Sequence, residues 1–458
     1  MTESGEERAV ASAARSGQGA PRGGAPAPGG AGGASGGAGG GIGAPEGAAM
    51  APIHDFAAKL RQPSLIDRLK GYVRWQAALR QAQKEGRTIP EALATLDDVP
   101  ISINLDLTTA CNYACDHCVD FDILNTGRRY DHEKLLESLT QLARRGLKSV
   151  IVIGGGEPTL YPKFEEVMRR MKALGLRIGL VTNGTGMPKV RDVADVLDAG
   201  DWVRLSLDSG SDATFQKMHK PRRPITLDEI CDGVPPVKAV NKVTRIGFSY
   251  IIVWKGCEAN DTTIVENVHE MAMAAERARR SLFDYISFKP FLVRAEENNA
   301  EIVGLGDAAQ HMADVMGAIR RQLDLSKRLE TPAFKVVEST NLRVLASNTQ
   351  RKSTLQPKQC HMQLFRQVVS PLGVFNCPVY RHVEKAKIGD KHSYADDASV
   401  ARAQQSTARL IGEFNAEHEC REVTCLYNDV NWFIEDLIRN PGKLDDLLPV
   451  EERNDSFL

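Results

Sequence analysis

Hydrophobic and polar residues follow a repeating order of short strands and longer helices between residues 101 and about 335. In the first strand, Ile101, Ile103, Leu105 and Leu107 alternate with more polar residues, and a period of two is typical of β structure. The six runs predicted as strands are ISINLDL, SVIVI, RIGLV, WVRLSLD, RIGFSYIIV and DYISFKP. Strands that alternate with helices are parallel and joined by right-handed crossovers, so the sequence predicts an α/β fold with parallel strands.

Helical patterns fill the intervals between these strands. The first two are EKLLESLTQLARRG and KFEEVMRRMKALG, which we expect to end at Gly146 and Gly175. Three more helices are predicted around Val190–Leu197, through Leu227–Val240 and from about Thr262.

Three other segments complete the chain. Residues 1–50 are dominated by Gly, Ala and Pro, and they have too little apolar surface to offset the entropy of ordering, so we expect a disordered tail. This tail lacks the apolar core of a signal peptide, and its early glutamates disfavour a transit peptide. Residues 51–100 contain two amphipathic helical patterns, DFAAKLRQPSLIDRLKGYVRWQAALRQAQ and PEALATL. We assign residues 101–335 to the repeating α/β core and residues 336–458 to a C-terminal extension, which ends with a helix near VNWFIEDLIRN.

Charge and composition exclude some classes of function. The chain has 58 Lys and Arg against 59 Asp and Glu, a formal net charge of −1, so it has no global field that would attract nucleic acid. We interpret the short basic run HKPRRP at residues 219–224 as a solvated loop. No run of eighteen apolar residues occurs, so we expect no membrane span. Nine cysteines are too few for a disulfide scaffold, and unpaired thiols fit a reducing cytoplasm.

Three of the nine cysteines lie in one short loop after the first strand. Cys111, Cys115 and Cys118, in CNYACDHC, have C-x3-C-x2-C spacing. Three thiolates on one loop can bind three irons of a cubane cluster and leave the fourth iron for a small molecule. The alternative is a zinc loop, although zinc sites usually show paired C-x2-C halves.

Further motifs begin where the next predicted strands end. They are the segment Gly154–Pro158 (GGGEP), the tripeptide Thr182-Asn183-Gly184, and Ser206 with Asp208. Functional residues of β/α barrels collect at the carboxyl ends of the strands. Glycines let the backbone approach a ligand, and a carboxylate can receive an ammonium group. The alternatives are ordinary turn chemistry for GGGEP and strand-end caps for Thr182 and Ser206.

With these motifs at these places, the chain resembles the radical S-adenosylmethionine (radical SAM) superfamily. The resemblance implies that the six units form a partial, TIM-like (β/α)6 barrel and that a 4Fe–4S cluster on the cysteine triplet binds SAM. It also implies that Gly155, Gly156, Glu157 and Pro158 bind the methionine amino group, and that Thr182, with its neighbour Asn183, and Ser206 bind the SAM carboxylate or ribose. His117 stands where the family commonly has an aromatic residue near adenine; it either contacts the base or faces solvent.

Four more cysteines lie in the C-terminal extension. Cys360 precedes and Cys377 ends a predicted hairpin, VVSPLGVFNC, and the other pair follows a helix-like stretch; that pair is Cys420 and Cys425. This pattern resembles the twitch version of the SPASM extension, which implies one auxiliary 4Fe–4S cluster. Gly373 lies four positions before Cys377, where the usual spacing is five. A structural zinc site with the same four ligands is the alternative.

Other residues are weaker candidates. Cys231 lies in a helical pattern and is expected to be buried. Cys257 follows the fifth strand and is either a passive loop thiol or a group that relays a radical. Asp208, Lys289 and Arg294 lie on or after predicted strands and either face the substrate or form salt bridges.

The predicted function is that of a radical SAM enzyme, of oxidoreductase or lyase type, that abstracts a hydrogen atom from a small molecule of sugar or aminocyclitol type. A reductant such as flavodoxin or ferredoxin is the expected partner. The alternatives are an enzyme that modifies a ribosomally made peptide, and a non-catalytic zinc or iron–sulfur scaffold. A cyclic pyranopterin precursor synthase is disfavoured because the C-terminal NDSFL lacks paired glycines and the auxiliary set has four cysteines, not three.

Overall fold

A ten-stranded sheet lies at the centre of the protein. The computed structural model describes residues 54–88, 96–305 and 311–457. The tail predicted at residues 1–50 and nearly all of the helix predicted at PEALATL fall outside these ranges. The strands are β1 (Ser102–Leu105), β2 (Ser149–Val152), β3 (Arg177–Thr182), β4 (Trp202–Ser206), β5 (Arg245–Ile252), β6 (Glu258–Ala259), β7 (Thr262–Thr263), β8 (Tyr285–Pro290), β9 (Leu292–Arg294), β10 (Glu301–Val303), β11 (Lys335–Glu338), β12 (Arg366–Ser370), β13 (Gly373–Phe375) and β14 (Lys387–Gly389).

Helices connect these strands and flank the sheet. The α-helices are α1 (Phe56–Leu60), α2 (Ile66–Lys84), α3 (His132–Arg144), α4 (Phe164–Ala173), α5 (Met187–Asp192), α6 (Asp212–His219), α7 (Leu227–Cys231), α8 (Val234–Val240), α9 (Met271–Arg280), α10 (Met312–Lys327), α11 (Thr340–Ser347), α12 (Gln350–Thr354), α13 (Met362–Phe365), α14 (Asp397–Glu413), α15 (Ala416–Glu419), α16 (Asn428–Arg439) and α17 (Gly442–Asp445). Within the described ranges, no helix is both long and apolar enough to cross a bilayer.

The six predicted strands are present and are parallel neighbours. The sheet order is β11-β8-β5-β4-β3-β2-β1-β12-β13-β14, with parallel pairing from β11 through β12 and antiparallel pairing in the β12–β13–β14 meander. The strand β11 and the parallel pairing of β12 with β1 were not predicted, because β11 is short and the partner of β12 is distant in sequence. Ser102 of β1 pairs with Arg366 of β12, so the sheet continues across the domain boundary predicted at residues 335/336. The predicted hairpin is confirmed, and its first strand belongs to this sheet.

Three of the predicted helices differ in the structure, and local signals explain the first two differences. The helix predicted at Leu227–Val240 is two helices, α7 and α8, because Pro235 and Pro236 have no backbone N–H to continue the first. The helix predicted from Thr262 begins only at Met271. A β6–β7 hairpin precedes it, and both residues of its turn, Asn260 and Asp261, have positive φ. The helix predicted at Val190–Leu197 is α5 followed by a 3-10 turn at Ala194–Val196.

The two faces of the parallel strands differ in exposure. Val150, Ile178, Val203 and Ile246 face the helices and are fully buried. The alternate residues on the inner face remain partly exposed: Ile151, Val181, Arg204, Ile251 and Lys289. Side chains alternate across a strand, so the inner face lines a chamber that solvent can reach.

The two ends of the described chain meet at the amino-terminal ends of the strands. The Ser149 hydroxyl of β2 donates to the Ser456 carbonyl at 2.6 Å, and the Phe457 ring lies 5.9 Å from Trp202 of β4. Lys59 of α1 donates to the Phe457 carbonyl at 2.7 Å. The segment 450–457 and α1 therefore close the amino-terminal end of the chamber.

Candidate functional site

The cysteine triplet lies on the loop that leaves β1, at the carboxyl end of the sheet. Cys111, Cys115 and Cys118 are partly buried, and the first two pack against the main hydrophobic core. Burial raises the pKa of all three thiols, that of Cys118 to about 12. Thiolates form there only if a cation compensates them, which a metal centre does.

The spacing of these sulfurs distinguishes a cluster from a single ion. Zinc binds each thiolate at about 2.3 Å, so its sulfurs must lie about 4 Å from one another. Among the described residues, the three sulfurs of the triplet do not form a set in which all lie within 4.8 Å of one another. This arrangement does not fit one ion and fits a multi-iron cluster, whose ligands bind at separate corners.

The GGGEP segment packs directly on the cysteine loop. The Gly156 N–H donates to the Thr108 carbonyl at 2.7 Å, and the Glu157 N–H donates to the Ala110 carbonyl at 2.8 Å. A Cβ at position 156 would overlap the Ala110 carbonyl, and Gly155 has a φ of +65°. The glycines are therefore required by the contact between the two loops.

Glu157 is buried and connects three segments of the site. Its Oε1 accepts from the Thr159 N–H at 3.0 Å, the Thr159 hydroxyl at 2.6 Å and the Thr182 hydroxyl at 2.7 Å. Its Oε2 accepts from the Asn183 N–H at 2.7 Å. Burial raises the pKa of Glu157, although these hydrogen bonds oppose the shift. The carboxylate positions the ends of β2 and β3, and Oε2, with one partner, can accept one more donor.

The remaining predicted SAM-binding residues surround Glu157 or face the chamber. Pro158 is buried and begins a 3-10 turn. The Asn183 side-chain Nδ2 donates to the side-chain Oδ1 of Asn112, in the cysteine loop, at 2.8 Å. Ser206 ends β4 and is partly exposed to the chamber. The structure therefore brings GGGEP, TNG and the cysteine loop into direct contact, as their positions at the strand ends predicted.

His117 faces the interior of the molecule, so the alternative that it points to solvent is wrong. It is 8% exposed, and its Nε2 lies 3.4 Å from Asp208 Oδ2. The other ring nitrogen, Nδ1, is buried and has no hydrogen-bond partner among the described residues.

Asp208, the residue that His117 contacts, has a positive φ of +49°. Its Oδ1 accepts from the Ile251 N–H at 2.7 Å, and its Oδ2 lies 3.5 Å from Nε2 of His219. Burial acts to raise the pKa of Asp208, but the His117 hydrogen bond and the two imidazoles outweigh burial, so the pKa is below its usual value. Asp208 thus orients two imidazoles beside the cysteine triplet.

One set of ligand atoms in this region is compact enough for a single ion. The sulfur of Cys115 and one ring nitrogen each from His117 and His219 lie within 4.8 Å of one another. His219 Nδ1 is 3.3 Å from the Cys115 sulfur. Cys115 also belongs to the triplet, so a single ion here and a cluster on the triplet exclude each other.

A buried ion-pair network joins the extension to the cysteine loop, and sequence reasoning missed it. Arg381, four residues after Cys377, donates to Asp120 at 2.9 Å and to Asp106 at 2.9 Å. The same Asp120 oxygen accepts from the Gly155 N–H at 3.1 Å. All three charged side chains are nearly inaccessible to solvent. The only sequence signal was the position of Asp120, two residues after the triplet.

The four C-terminal cysteines surround one cavity. Cys360, Cys377, Cys420 and Cys425 line one small cavity, with Tyr380 and Tyr427 among the other side chains. No three of these sulfurs lie within 4.8 Å of one another in the described structure, which is too wide for one zinc ion. Burial raises the pKa of each thiol, to about 12 for Cys377.

The weaker candidates have separate environments. Cys257 is buried in the core, burial raises its pKa to about 11, and its sulfur lies 3.9 Å from the Gly304 carbonyl. Arg294 is salt-bridged: it lies 3.5 Å from Glu301 and donates to the Val379 carbonyl at 2.9 Å. Lys289 faces the chamber and donates to the Ser249 hydroxyl at 3.1 Å.

Comparisons with known proteins agree with this geometry. The model of the family described as Radical SAM superfamily matches residues 105–261. An S-adenosylmethionine-dependent nucleotide dehydratase of a Thermoplasmatales archaeon (strain ISO4-H5) is 33% identical over 112 residues, which are 24% of this chain and 39% of that protein. The mycofactocin maturase MftC of Mycolicibacterium smegmatis is 32% identical over 116 residues, 25% of this chain and 29% of the maturase.

Among solved structures, the crystal structure of Streptococcus suis SuiB has the same fold. It superposes with a TM-score of 0.50 at 13% identity over 72% of this chain and 77% of SuiB. The chain spans less than half of the length of the two curated relatives. The family match and the fold support the radical SAM superfamily for the α/β core. That family implies a 4Fe–4S cluster and SAM, and the cysteine triplet fits the cluster.

Proposed function

We propose that this protein is a radical SAM enzyme that abstracts a hydrogen atom from a small-molecule substrate held in the chamber. The observation that carries the proposal is the contact of the cysteine loop, GGGEP and TNG at one end of the sheet. Cys111, Cys115 and Cys118 would hold a 4Fe–4S cluster, and that group would supply, with a flavodoxin or ferredoxin as electron donor, the one-electron cleavage of SAM to methionine and a 5′-deoxyadenosyl radical that takes hydrogen from a substrate carbon.

The chain's own residues bind and orient SAM in this proposal. Glu157 Oε2 has room for one more donor and would accept from the methionine ammonium, while Thr182 and Asn183 hold that carboxylate in place. His117 Nδ1 is buried and has no hydrogen-bond partner among the residues that the structure describes, so a polar atom of SAM would satisfy it. Ser206 faces the chamber and would contact the carboxylate or ribose of SAM.

A second 4Fe–4S cluster is proposed for the four C-terminal cysteines. Their wide spacing around one cavity favours a cluster over a zinc ion. Apolar and aromatic side chains of the chain contribute to the cavity lining and help to exclude water. Burial also disfavours thiolates at these cysteines unless a metal centre compensates their charge. A cluster there would accept or relay one electron, which makes net oxidation of a substrate radical possible.

Anaerobic reconstitution with iron and sulfide tests the function. The wild-type chain should bind about eight irons, absorb broadly near ~400 nm and form 5′-deoxyadenosine from SAM under strong reductant. Cys111→Ala should bind about half the iron and make no 5′-deoxyadenosine, whereas Cys377→Ala should lose half the iron yet still cleave SAM. Cys231→Ala is the matched control, because Cys231 lies in the core on α7. A wild-type protein that forms no 5′-deoxyadenosine contradicts the proposal.

A non-catalytic metal scaffold is the second candidate, because Cys115, His117 and His219 can hold one ion. In that case the purified chain would bind one zinc ion. The His219→Ala variant would lose this zinc, and the Cys118→Ala variant would still bind it. Zinc retained after iron reconstitution, with no 5′-deoxyadenosine, would favour the scaffold.

A peptide substrate is the competing substrate class, since one relative bears the name of a maturase. The other relative is named as a nucleotide dehydratase, which supports a small molecule that contains a sugar. Incubation of the active enzyme with a nucleotide panel and with peptides separates the two, by substrate-dependent 5′-deoxyadenosine above the abortive rate.

A further inference from the structure

Two cations line the chamber without a carboxylate partner. Arg204 of β4 and Lys289 of β8 both face the inside of the sheet and are partly exposed there. The Arg204 guanidinium stacks 5.2 Å from the Trp202 ring, and its Nε is buried without a hydrogen-bond partner. The Lys289 ammonium contacts only the Ser249 hydroxyl, at 3.1 Å. Neither side chain forms an ion pair with any described residue.

A buried charge without a counter-ion is costly, and proteins rarely retain one unless a ligand supplies the opposite charge. Burial, with a smaller contribution from Arg204, holds the pKa of Lys289 well below its usual value. Asp208 attracts the charge of Lys289, but its carboxylate is already engaged by the Ile251 N–H and two imidazoles. Among the described residues, no carboxylate therefore neutralises the positive charge of Arg204 or Lys289.

Hydroxyl groups complete the lining between the two cations. Ser249 of β5 and Ser287 of β8 are directly paired across the sheet, and both lie on the inner face. Arg204 pairs with Gly247, two residues before Ser249 on the same strand. Gly247 has no side chain, and the ring of its partner Tyr285 packs over it, because a Cβ at position 247 would overlap that ring.

We infer that Arg204, Lys289, Ser249 and Ser287 bind a phosphate group of the substrate. A phosphate carries a charge of about −1.5 to −2 and three acceptor oxygens, which matches two cations with two hydroxyl donors. A guanidinium presents two parallel donors to such a group, and a lysine adds a point charge. A carboxylate would offer only two oxygens and one charge. The substrate class is a phosphorylated small molecule, of which a nucleotide is one form.

The inference rests on the proposed function, and the position of the phosphate site is compatible with that chemistry. Trp202 and Phe457 close the chamber on one side of Arg204. Asp208 and His117 lie on the other side, next to the cysteine loop. A phosphate held at Arg204 and Lys289 would direct the rest of the substrate towards that loop.

Equilibrium binding to the reconstituted full-length protein, with SAM present, tests the inference. The probes are two matched pairs, GTP with guanosine and glucose 6-phosphate with glucose, and inorganic phosphate serves as the competitor. At least one phosphorylated probe should bind at least about tenfold more tightly than its partner and be displaced by phosphate. Arg204→Gln and Lys289→Met should each weaken that binding about 10- to 100-fold, and Arg204→Lys should lose less.

Arg280→Gln is the control, because Arg280 is exposed at the end of α9, where it pairs with Glu276. The unfolding temperature of each variant should stay near that of the wild type, which separates lost binding from lost folding. Two results would overturn the inference: equal binding of phosphorylated and unphosphorylated probes, or variants that weaken SAM binding but not phosphate binding. Formation of 5′-deoxyadenosine by the same wild-type sample reports separately on the proposed function.

Discussion

Arg381 donates a hydrogen bond to Asp120 at 2.9 Å and thereby joins the segment that follows Cys377 to the loop that carries Cys118. The same guanidinium reaches Asp106 just after β1, and Asp120 in turn accepts from the Gly155 N–H. One buried arginine of the extension therefore holds the cysteine loop and the GGGEP segment together. The two cysteine sets are mechanically connected through it.

Replacement of Arg381 should be strongly destabilising. Arg381→Gln removes the main cation of the buried Asp106 and Asp120 and leaves only the more distant His382 and Arg294, and loss of one partner of a buried pair costs about 3–5 kcal/mol. Denaturant unfolding of the anaerobic protein measures the change. The control is Arg145→Gln, whose exposed pair with Asp397 is worth about 1 kcal/mol or less. If both variants lost the same free energy of unfolding, the buried network would contribute no more to stability than the exposed salt bridge does.

Glu157→Gln should weaken SAM binding about tenfold while iron content stays near that of the wild type. The amide keeps the shape of the carboxylate but places a donor against groups that all donate, from Thr159, Thr182 and Asn183. Titration of SAM into the reconstituted protein measures the affinity. Glu166→Gln, on the exposed surface of α4, is the control. If Glu157→Gln bound SAM as tightly as the wild type, the Glu157 carboxylate would only position the neighbouring loops and would not bind SAM.

The stability of the protein should fall as pH rises from about 5 to 8. Burial raises the pKa of Glu301 to about 7, and Arg294 and Arg381 only partly oppose the shift. The folded state holds a proton that the unfolded state releases near pH 4.5, so ionisation of Glu301 removes up to about 3 kcal/mol across this window.

Glu301→Gln should flatten that pH dependence and raise the unfolding temperature at pH 8 more than at pH 5.5. Thermal unfolding of the anaerobic protein at the two pH values gives the comparison. Glu413→Gln, which removes an exposed carboxylate of α14, should leave the slope unchanged. A slope that is the same in wild type and Glu301→Gln would assign the pH dependence to other groups.

The parts of the fold that the sequence predicted depend on local patterns. Six strands, the hairpin and the final helix have clear periodicity, and the cysteine loop, GGGEP and TNG lie where those strands end. The contact among these three loops could be predicted from the sequence, because the carboxyl ends of parallel strands meet at one edge of the sheet. The burial of His117 did not follow, since it depends on Asp208, which lies far along the chain.

The missed features all depend on contacts between distant segments. β12 pairs with β1, Arg381 reaches Asp120, and the segment 450–457 covers the end of the chamber. Each involves residues hundreds of positions apart, and a single sequence shows no periodicity that would reveal such a partner. The α7–α8 break and the β6–β7 hairpin are different, because their signals, Pro235-Pro236 and Asn260-Asp261, were local and were overlooked.

The pairing of β1 with β12 affects how the chain folds during synthesis. Ser102 and Arg366 are separated by 264 positions, so one edge of β1 stays unpaired until most of the protein has left the ribosome. Contacts of such long sequence separation form slowly, and an unpaired strand edge invites association with other chains. Because the cysteine triplet follows β1 closely, the nascent chain exposes its cysteine loop and an open sheet edge together, and the arrival of β12 protects the edge.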